Sequence, residues 1–294
     1  MVAPAVTTVR AMNRLVPLFG LLLACAPDPR PAPDPQPDPM GSAGGEADAH
    51  WTGSLDEDSF AALHELTGEA APPLHGETIA LAGGEAYLSV PEGAGPHPGV
   101  LVIHEWWGLN DHIRHWADRL AEAGYAALAV DLYDGQVATT PDEAMPLMQG
   151  VDEEAALAIL EAGHELLASD PRVRAPKRGV IGWCFGGGMS LKAAQRLEGL
   201  DAVVMYYGRV VEDPAALQTI DAPLLGIFAN RDTSITPENV TAFDAALTEA
   251  EVIHSIHRFD ADHAFANPSS ARYDHENATE AWALVQAFFD EHLR

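Results

Sequence analysis

The chain has 294 residues, of which 47% are hydrophobic and only two are cysteines. This length and apolar content suit one large α/β domain or two small ones, with a core that needs no disulfide bonds. The formal net charge of −28 at pH 7 disfavours binding to nucleic acid and to anionic lipid head groups, and it favours solubility.

The N-terminal residues are typical of an export signal. Arg10 and Arg14 precede the apolar run LVPLFGLLLAC, which ends at Cys25 and is too short to span a bilayer as a helix. Its last four residues, LLAC, resemble a bacterial lipobox, in which the cysteine becomes lipid-modified. We therefore expect a lipoprotein-type signal peptide over residues 1–24 and a lipid anchor at Cys25, on the periplasmic or surface side of the cell envelope. An ordinary secretory signal with an incidental cysteine is the alternative.

Either Met1 or Met12 can serve as the start of this signal, because the segment from Met12 already has the basic end and the apolar run. Residues 25–50, rich in Pro, Asp and Gly, are predicted to form a disordered tether. Residues 51–75 are predicted to form a short helical extension, and residues 76–294 are predicted to form the main domain.

The main domain begins with an alternating pattern across Gly83 and Gly84, which predicts an antiparallel hairpin. Apolar runs and amphipathic segments then alternate. Strands are predicted at 99–104, 125–131, 178–183, 201–207, 223–229 and 252–259, and helices at 112–123, 152–168, 187–198, 237–249 and 275–292. This order predicts an α/β fold with a mostly parallel sheet flanked by helices on both faces. Active sites of such sheets lie at the carboxyl ends of the strands.

One cysteine stands at such a strand end. The run RGVIGW leads directly to Cys184, and a predicted helix follows at once. Gly182 and Gly186 frame it in the pattern G-x-C-x-G, which is the nucleophile-elbow pattern with cysteine in place of serine. The tight turn needs small flanking residues, and the helix N-terminus favours a thiolate. The alternative is a buried, inert cysteine.

A base and an acid are expected later in the chain, in the order nucleophile, acid, base. Asp232 follows the strand PLLGIFA by three residues, and His263 follows the last strand. Asp260 and Asp262 are rival acids. A residue beside the base in sequence rarely faces the far nitrogen of its ring, so Asp232 is preferred.

Two further histidines, His254 and His257, lie three residues apart within a predicted strand and are expected on opposite faces, in structural roles. The segment DADH resembles a pair of metal ligands. No second cluster with ligand spacing accompanies it, so no metal site is predicted.

The loop after the first parallel strand reads HEWWGLND. In this type of fold it supplies one oxyanion-hole N–H, and the residue after the nucleophile supplies the other. The predicted donors are the backbone N–H groups of Trp106 and Phe185. Glu105 is expected at the mouth, facing the thiol, whereas Asp111 is expected to cap the helix near residue 112.

Four segments resemble the dienelactone hydrolase family: VIHEWWGLNDHIRHWADRLAEAGYAALAVDLYDG, GVIGWCFGGG, GIFANRDTSITPE and DADHAFA. They occur in the family's order across residues 76–294. The resemblance implies an α/β-hydrolase fold, no cofactor, and a Cys-His-Asp triad acting on esters or lactones. It assigns Cys184 as nucleophile, His263 as base and Asp232 as the group that orients the base. It also implies that Glu105 contacts the thiol at rest and moves on substrate binding, helping to form the thiolate.

The sequence departs from the family at two places where arginines bind a substrate carboxylate. The position two residues after DLY has Gly135, and the position four residues after His263 has Asn267. Arg231 and Arg272 lie nearby but not at the matched positions. Dienelactone itself is therefore not the expected natural substrate.

Aromatic residues near the strand ends, Trp106, Trp107, Tyr133 and Phe185, are candidates for a substrate pocket, although they can equally belong to the core. The predicted function is hydrolysis of a small-molecule ester or lactone, with membrane contact only through the N-terminal anchor. The alternatives are a non-catalytic envelope binding protein on the same fold, or a peptidase or polyesterase. The sequence carries no signal for the oligomeric state.

Overall fold

The computed structural model describes residues 73–294. The predicted signal peptide with Cys25, the tether and nearly all of the extension over 51–75 lie outside the described residues.

Eight strands and seven helices alternate along the described part of the chain. The strands are β1 (Glu77–Leu81), β2 (Gly84–Ser89), β3 (Gly99–Ile103), β4 (Ala126–Val130), β5 (Arg178–Trp183), β6 (Ala202–Tyr206), β7 (Leu224–Ala229) and β8 (His254–Phe259). The helices are α1 (Asp111–Glu122), α2 (Pro141–Gly150), α3 (Glu153–Ser169), α4 (Phe185–Arg196), α5 (Pro214–Leu217), α6 (Pro237–Glu249) and α7 (His275–Leu293).

The strands form one sheet in the order β1-β2-β4-β3-β5-β6-β7-β8. The hairpin of β1 and β2 is antiparallel, β2 pairs antiparallel with β4, and the pairs from β4 to β8 are parallel. The predicted mostly parallel sheet and the N-terminal hairpin are confirmed. Because β3, β5, β6, β7 and β8 are parallel neighbours, their carboxyl ends lie along one edge of the sheet.

Both faces of the sheet are buried, which explains the continuous apolar runs in the sequence. In β3, Val100 and Val102 join a core cluster that includes Trp116 of α1 and Phe289 of α7. Their neighbours Leu101 and Ile103 face the opposite cluster, whose helical residues come from α3, α4, α5 and α6. The predicted arrangement of helices on both faces is therefore confirmed.

Some predicted element limits need correction. Helix α4 begins at Phe185 rather than at 187, because it starts directly after the turn at Cys184. Strands β4 and β8 begin one and two residues later than expected. Asp111 is not the N-cap of α1: the side chain of Asn110 accepts the Ile113 N–H at 3.2 Å, and Asp111 pairs with Arg114 in the first turn.

Helices α2 and α5 were not predicted. Helix α2 contains Pro146, which interrupts a helical pattern, and it buries only Ala144 completely. Its start nevertheless carries a recognisable signal, since Thr140 and Glu143 form a capping box around Pro141. No helix in the described part of the chain is long and apolar enough to cross a membrane.

Candidate active site

The predicted site residues lie beyond the carboxyl ends of strands at one edge of the sheet. Glu105 follows β3, Cys184 follows β5, Asp232 follows β7 and His263 follows β8. Residues separated by up to 158 positions are thereby brought to one edge, where ligands of open α/β sheets bind.

The turn at Cys184 has the geometry of a nucleophile elbow. Its backbone has φ 53° and ψ −114°, a conformation that non-glycine residues rarely adopt. The Cys184 N–H donates to the carbonyl of Tyr206 at 3.1 Å, which ties the turn to the end of β6. A side chain at Gly186 would meet the Ile103 carbonyl oxygen at 2.3 Å, and one at Gly182 would meet the Gly186 carbonyl oxygen at 2.3 Å. Backbone packing therefore requires both glycines.

The imidazole of His263 is held by Asp232. Its Nδ1 lies 2.6 Å from Asp232 Oδ2, and both residues are buried. The other carboxylate oxygen of Asp232 accepts the N–H groups of Ser234 at 2.8 Å and Ile235 at 3.0 Å. These two donors fix the orientation of the carboxylate, and its second oxygen serves as the acceptor for an Nδ1–H of His263. The Nε2 atom then carries the lone pair that a base needs.

The rival acids have another partner. Arg231 pairs with Asp260 at 2.9 Å and lies 3.7 Å from Asp262, and all three side chains are substantially exposed. Asp232 therefore takes the position beside His263 that the sequence favoured. In β8, His254 contacts Asp244 at 3.0 Å, away from this pair, in line with a structural role.

A buried histidine in the loop after β3 was not predicted. The Nε2 atom of His104 lies 3.1 Å from the Leu132 N–H, and its Nδ1 lies 2.6 Å from the Glu105 carbonyl oxygen. Because a backbone N–H can only donate, Nε2 is the acceptor and Nδ1 carries the hydrogen. Burial lowers the pKa of His104 to about 4, so the ring is neutral near pH 7. It joins the loops that follow β3 and β4.

Glu105 is a nearly inaccessible carboxyl group, with 3% of its surface exposed. The sequence placed it at the mouth of the site, whereas the structure buries it. Its Oε2 accepts a hydrogen bond from the side-chain amide of Asn267. Burial raises the pKa of Glu105 to about 7, and the Asn267 donor opposes that rise. The expected contact between Glu105 and Cys184 stays a prediction.

The backbone N–H groups of Trp106 and Phe185 stay predicted oxyanion-hole donors. Phe185 is the first residue of α4, so its N–H has no acceptor within the helix, and Trp106 follows Glu105 at the end of β3. The aromatic rings are partly core: Trp106 packs edge-on against Trp107 at 4.9 Å, and Tyr133 packs against Phe185 at 5.6 Å. The Tyr133 hydroxyl is buried.

Tyr207 is a further residue that sequence reasoning missed. It follows β6 with φ 34°, and its ring lies 5.0 Å from the ring of His263. Burial, reinforced by the negative charge of Glu105, raises the pKa of Tyr207 well above its usual value, which keeps its hydroxyl neutral. Its position directly after an apolar strand was the available signal. Within residues 73–294, no group of three or more His, Cys, Asp or Glu is arranged to hold a metal ion.

Comparison with known proteins identifies the family. The sequence profile described as "Dienelactone hydrolase family" matches residues 85–293. The chain belongs to the dienelactone hydrolase family. It is 33% identical over 218 residues to the "Putative carboxymethylenebutenolidase" of Aquifex aeolicus, covering 71% of this chain and 93% of that protein.

Solved structures of dienelactone hydrolases share the fold. The "Putative Dienelactone Hydrolase" of Klebsiella pneumoniae aligns with a TM-score of 0.68 and 29% identity, over 74% of this chain and 98% of that one. The dienelactone hydrolase of Anabaena variabilis aligns with a TM-score of 0.57 and 25% identity, over 76% of this chain and 99% of that one. The protein is therefore a hydrolase of the dienelactone hydrolase family with the α/β-hydrolase fold.

The two departures from the dienelactone hydrolase pattern have different structural settings. Gly135 lies in a turn with φ 79°, where its N–H donates to Asp131, and a Cβ added there would meet no atom within 4 Å. Asn267 is buried against Glu105. Arg231, one of the two arginines considered as a substitute, is engaged by Asp260 in an exposed ion pair.

Proposed function

We propose that this dienelactone hydrolase-family protein hydrolyses esters or lactones of small molecules through Cys184 as nucleophile, His263 as base and Asp232 as the group that orients the base. The observation that carries the proposal is the buried 2.6 Å contact between His263 and Asp232, together with the sharp turn that places Cys184 at the carboxyl end of β5. A nucleophile, a base and an orienting acid are the three parts of covalent acyl transfer.

In the first proposed step, the Cys184 sulfur attacks the substrate carbonyl carbon. The thiol proton passes to Nε2 of His263, and the carbonyl oxygen becomes an oxyanion. The N–H groups of Trp106 and Phe185 donate to that oxyanion, and the N-terminus of α4 adds its positive dipole end.

The tetrahedral intermediate then collapses to a thioester. The bond to the alcohol oxygen breaks, and His263 returns its proton to that oxygen, so an ester releases its alcohol and a lactone opens. A water molecule, deprotonated by His263, next attacks the thioester carbon and releases the acid, and Cys184 regains its proton.

A sulfur nucleophile sets the substrate class. A thiolate is a weaker base than an alkoxide, so it is more readily formed and suits esters and lactones whose leaving alcohols are good. Amides have poorer leaving groups and are expected to react far more slowly. Glu105 is proposed to relay the thiol proton to His263 when substrate enters, because a carboxyl group with a pKa of about 7 exchanges protons readily near neutral pH.

The test must begin with reduced protein. The proposed reaction requires Cys184 as a free thiol. We therefore specify a reducing agent that is removed immediately before each assay, and a thiol titration that verifies the reduced state.

The decisive experiment is mass spectrometry after brief mixing with p-nitrophenyl acetate, together with steady-state hydrolysis. We expect an acetyl adduct on Cys184, and a loss of kcat/KM of roughly a thousandfold or more in Cys184→Ala. Ser190→Ala is the matched control, because Ser190 is a hydroxyl side chain in the helix that follows Cys184 and it donates to the Gly186 carbonyl at 3.0 Å. Full activity in Cys184→Ala would reject the proposed nucleophile.

The same experiment separates the alternative functions. A non-catalytic binding protein would give neither adduct nor turnover in the wild type. A peptidase would hydrolyse p-nitroanilides at rates comparable with the esters, and a polyesterase would favour long-chain esters.

We also propose that the protein is exported and anchored through a lipid on Cys25. The support is the sequence alone, namely the basic residues, the short apolar run and the LLAC segment that ends at Cys25.

A further inference from the structure

We infer that Asn267 is a positioning residue for Glu105, which its side-chain amide holds in place and favours in the ionised form. In the sequence, Asn267 was notable only because the family has an arginine at this position. The kinetic part of the inference rests on the proposed function. Asn267 is 3% exposed, and the two residues stand 162 positions apart in the chain.

The orientation of the Asn267 amide follows from its partners. Its Oδ1 accepts the backbone N–H of Ser269 at 2.9 Å and the Ser269 hydroxyl at 2.6 Å. A backbone N–H can only donate, so the atom facing Ser269 must be the oxygen. The NH₂ group consequently faces Glu105, as a donor to Oε2.

The loop that carries Asn267 is itself fixed. The Asn267 N–H donates to the carbonyl of Ala264 at 3.1 Å, and its own carbonyl accepts the Ser270 N–H at 2.9 Å. Pro268 follows, which restricts the backbone of Asn267 to extended conformations. Ala264 directly follows His263 and has φ 65°. One short loop therefore places both the imidazole and the amide that binds Glu105.

A neutral donor at this point has a definite electrostatic effect. Burial disfavours the charged form of Glu105, and a hydrogen bond to its oxygen partly restores that form. An amide does this without bringing a second charge into the site. Removing the donor leaves the buried oxygen without that hydrogen bond, and the carboxyl group then holds its proton to a higher pH.

The other titratable groups at this edge are named so that the readout can be assigned to Glu105. His104 lies in the same loop, and burial lowers its pKa to about 4. Tyr207 follows β6 and has a strongly raised pKa. Cys184, Asp232 and His263 follow β5, β7 and β8. A kinetic pH profile alone can report on several of these groups, so Glu105 must also be observed directly.

The experiment uses the full chain labelled with 13C at the glutamate side-chain carboxyl, and Glu105→Gln identifies the Glu105 resonance. Its titration midpoint is measured in the wild type, Asn267→Leu and Asn267→Asp. The leucine variant removes the donor without adding charge. The aspartate variant keeps an acceptor for Ser269 but presents a like charge to Glu105. We expect the midpoint to rise by about one pH unit in Asn267→Leu and by more in Asn267→Asp.

Two control variants separate this role from a purely structural one. Ser269→Ala removes the hydroxyl contact within the loop and leaves the donor to Glu105 in place, so the midpoint should stay where it is. Asn239→Asp makes the same chemical change at an exposed amide, which donates to Glu212 at 2.9 Å, and should leave the Glu105 midpoint unchanged.

In the pH profile of kcat/KM, the acid limb should move to higher pH in Asn267→Leu, by the same amount as the titration midpoint of Glu105. An unmoved midpoint in Asn267→Leu would overturn the inference, as would an equal shift in Ser269→Ala. Should the leucine variant fail to fold, Asn267→Ala, which also removes the donor without adding charge, decides by the same measurement. Because the NMR titration needs no turnover, failure of the proposed function, seen as activity in Cys184→Ala, is distinguishable from failure of this inference.

Discussion

Two buried carboxyl groups lie at opposite ends of the parallel strands, and their hydrogen-bond partners differ. Asp118 on α1 lies near the amino end of β4, where Ser89 pairs with Ala127, and Glu105 lies beyond the carboxyl end of β3. Their exposed fractions are 2% and 3%. Asp118 accepts hydrogen bonds from the hydroxyls of Tyr87 and Ser89 and from the N–H groups of His75 and Gly76. For Glu105, the structure gives one side-chain donor, Asn267.

This difference shows that burial alone does not define a carboxyl group's role. The donors around Asp118 replace the water it loses, and they join the hairpin of β1 and β2 to α1. Glu105 is compensated less, and burial raises its pKa to about 7. We interpret the first group as structural and the second as chemically active.

The largest effect that tests this comparison is on stability at Asp118. Asp118→Ala should lower the free energy of unfolding by about 3–5 kcal/mol, because the buried donors lose a common acceptor. Urea unfolding measures the change, with Asp118→Asn as a milder control that keeps one acceptor oxygen. The kcat/KM of the folded variant should match the wild type. Loss of activity with unchanged stability would contradict the structural interpretation.

Glu105→Gln should change the free energy of unfolding by less than Asp118→Ala does, and near pH 7 it should raise that free energy rather than lower it. Burial raises the pKa of Glu105 from 4.5 to about 7, so between these values the folded state holds a proton that the unfolded state has released. The free energy of unfolding of the wild type, relative to Glu105→Gln, should be highest below pH 4.5. It should fall by up to about 3 kcal/mol as the pH rises to 7, and stay constant above.

Denaturation of both proteins between pH 4 and pH 8 measures this difference. The kcat/KM of Glu105→Gln for activated esters should fall by about 10- to 100-fold. A pH-independent difference in stability would show that Glu105 titrates alike in the folded and unfolded states, and would remove the contrast with Asp118.

The smallest effect on the folded domain is expected at Cys25. In a bacterial host, Cys25→Ala should abolish fatty-acid labelling while kcat/KM stays unchanged, since lipidation requires that sulfur and the proposed site does not. This variant also leaves Cys184 as the only cysteine of the chain, so a thiol titration of it reports on Cys184 alone. Labelling that persists in the variant would reject the anchor.

The fold was predictable because the sheet is buried on both faces. Strands such as β3 and β6 are apolar throughout, and each is followed by a turn or a helix start that the sequence marks. The framing glycines marked the turn at Cys184, and the spacing after β7 marked Asp232. These signals are local, so a single sequence reveals them.

The remaining features depend on contacts between distant segments. Nothing near Asn267 in sequence indicates that its amide will meet Glu105, and nothing near Asp118 indicates donors from the hairpin. The tautomer of His104 depends on Leu132, which lies on another loop. Helix α2 begins with a capping box, but Pro146 interrupts its helical sequence pattern, so no helix was predicted there.

The close approach at Gly186 has a consequence for how the pocket can change. Main chain rests on main chain there, because a single added carbon would lie 2.3 Å from one carbonyl oxygen and 2.6 Å from the next, those of Ile103 and His104. The spacing between the first turn of α4 and the loop after β3 is therefore set by the peptide backbone. If Trp107 and Tyr133 line the substrate pocket as we propose, their exchange should change which acyl or alcohol groups enter while this backbone spacing stays fixed.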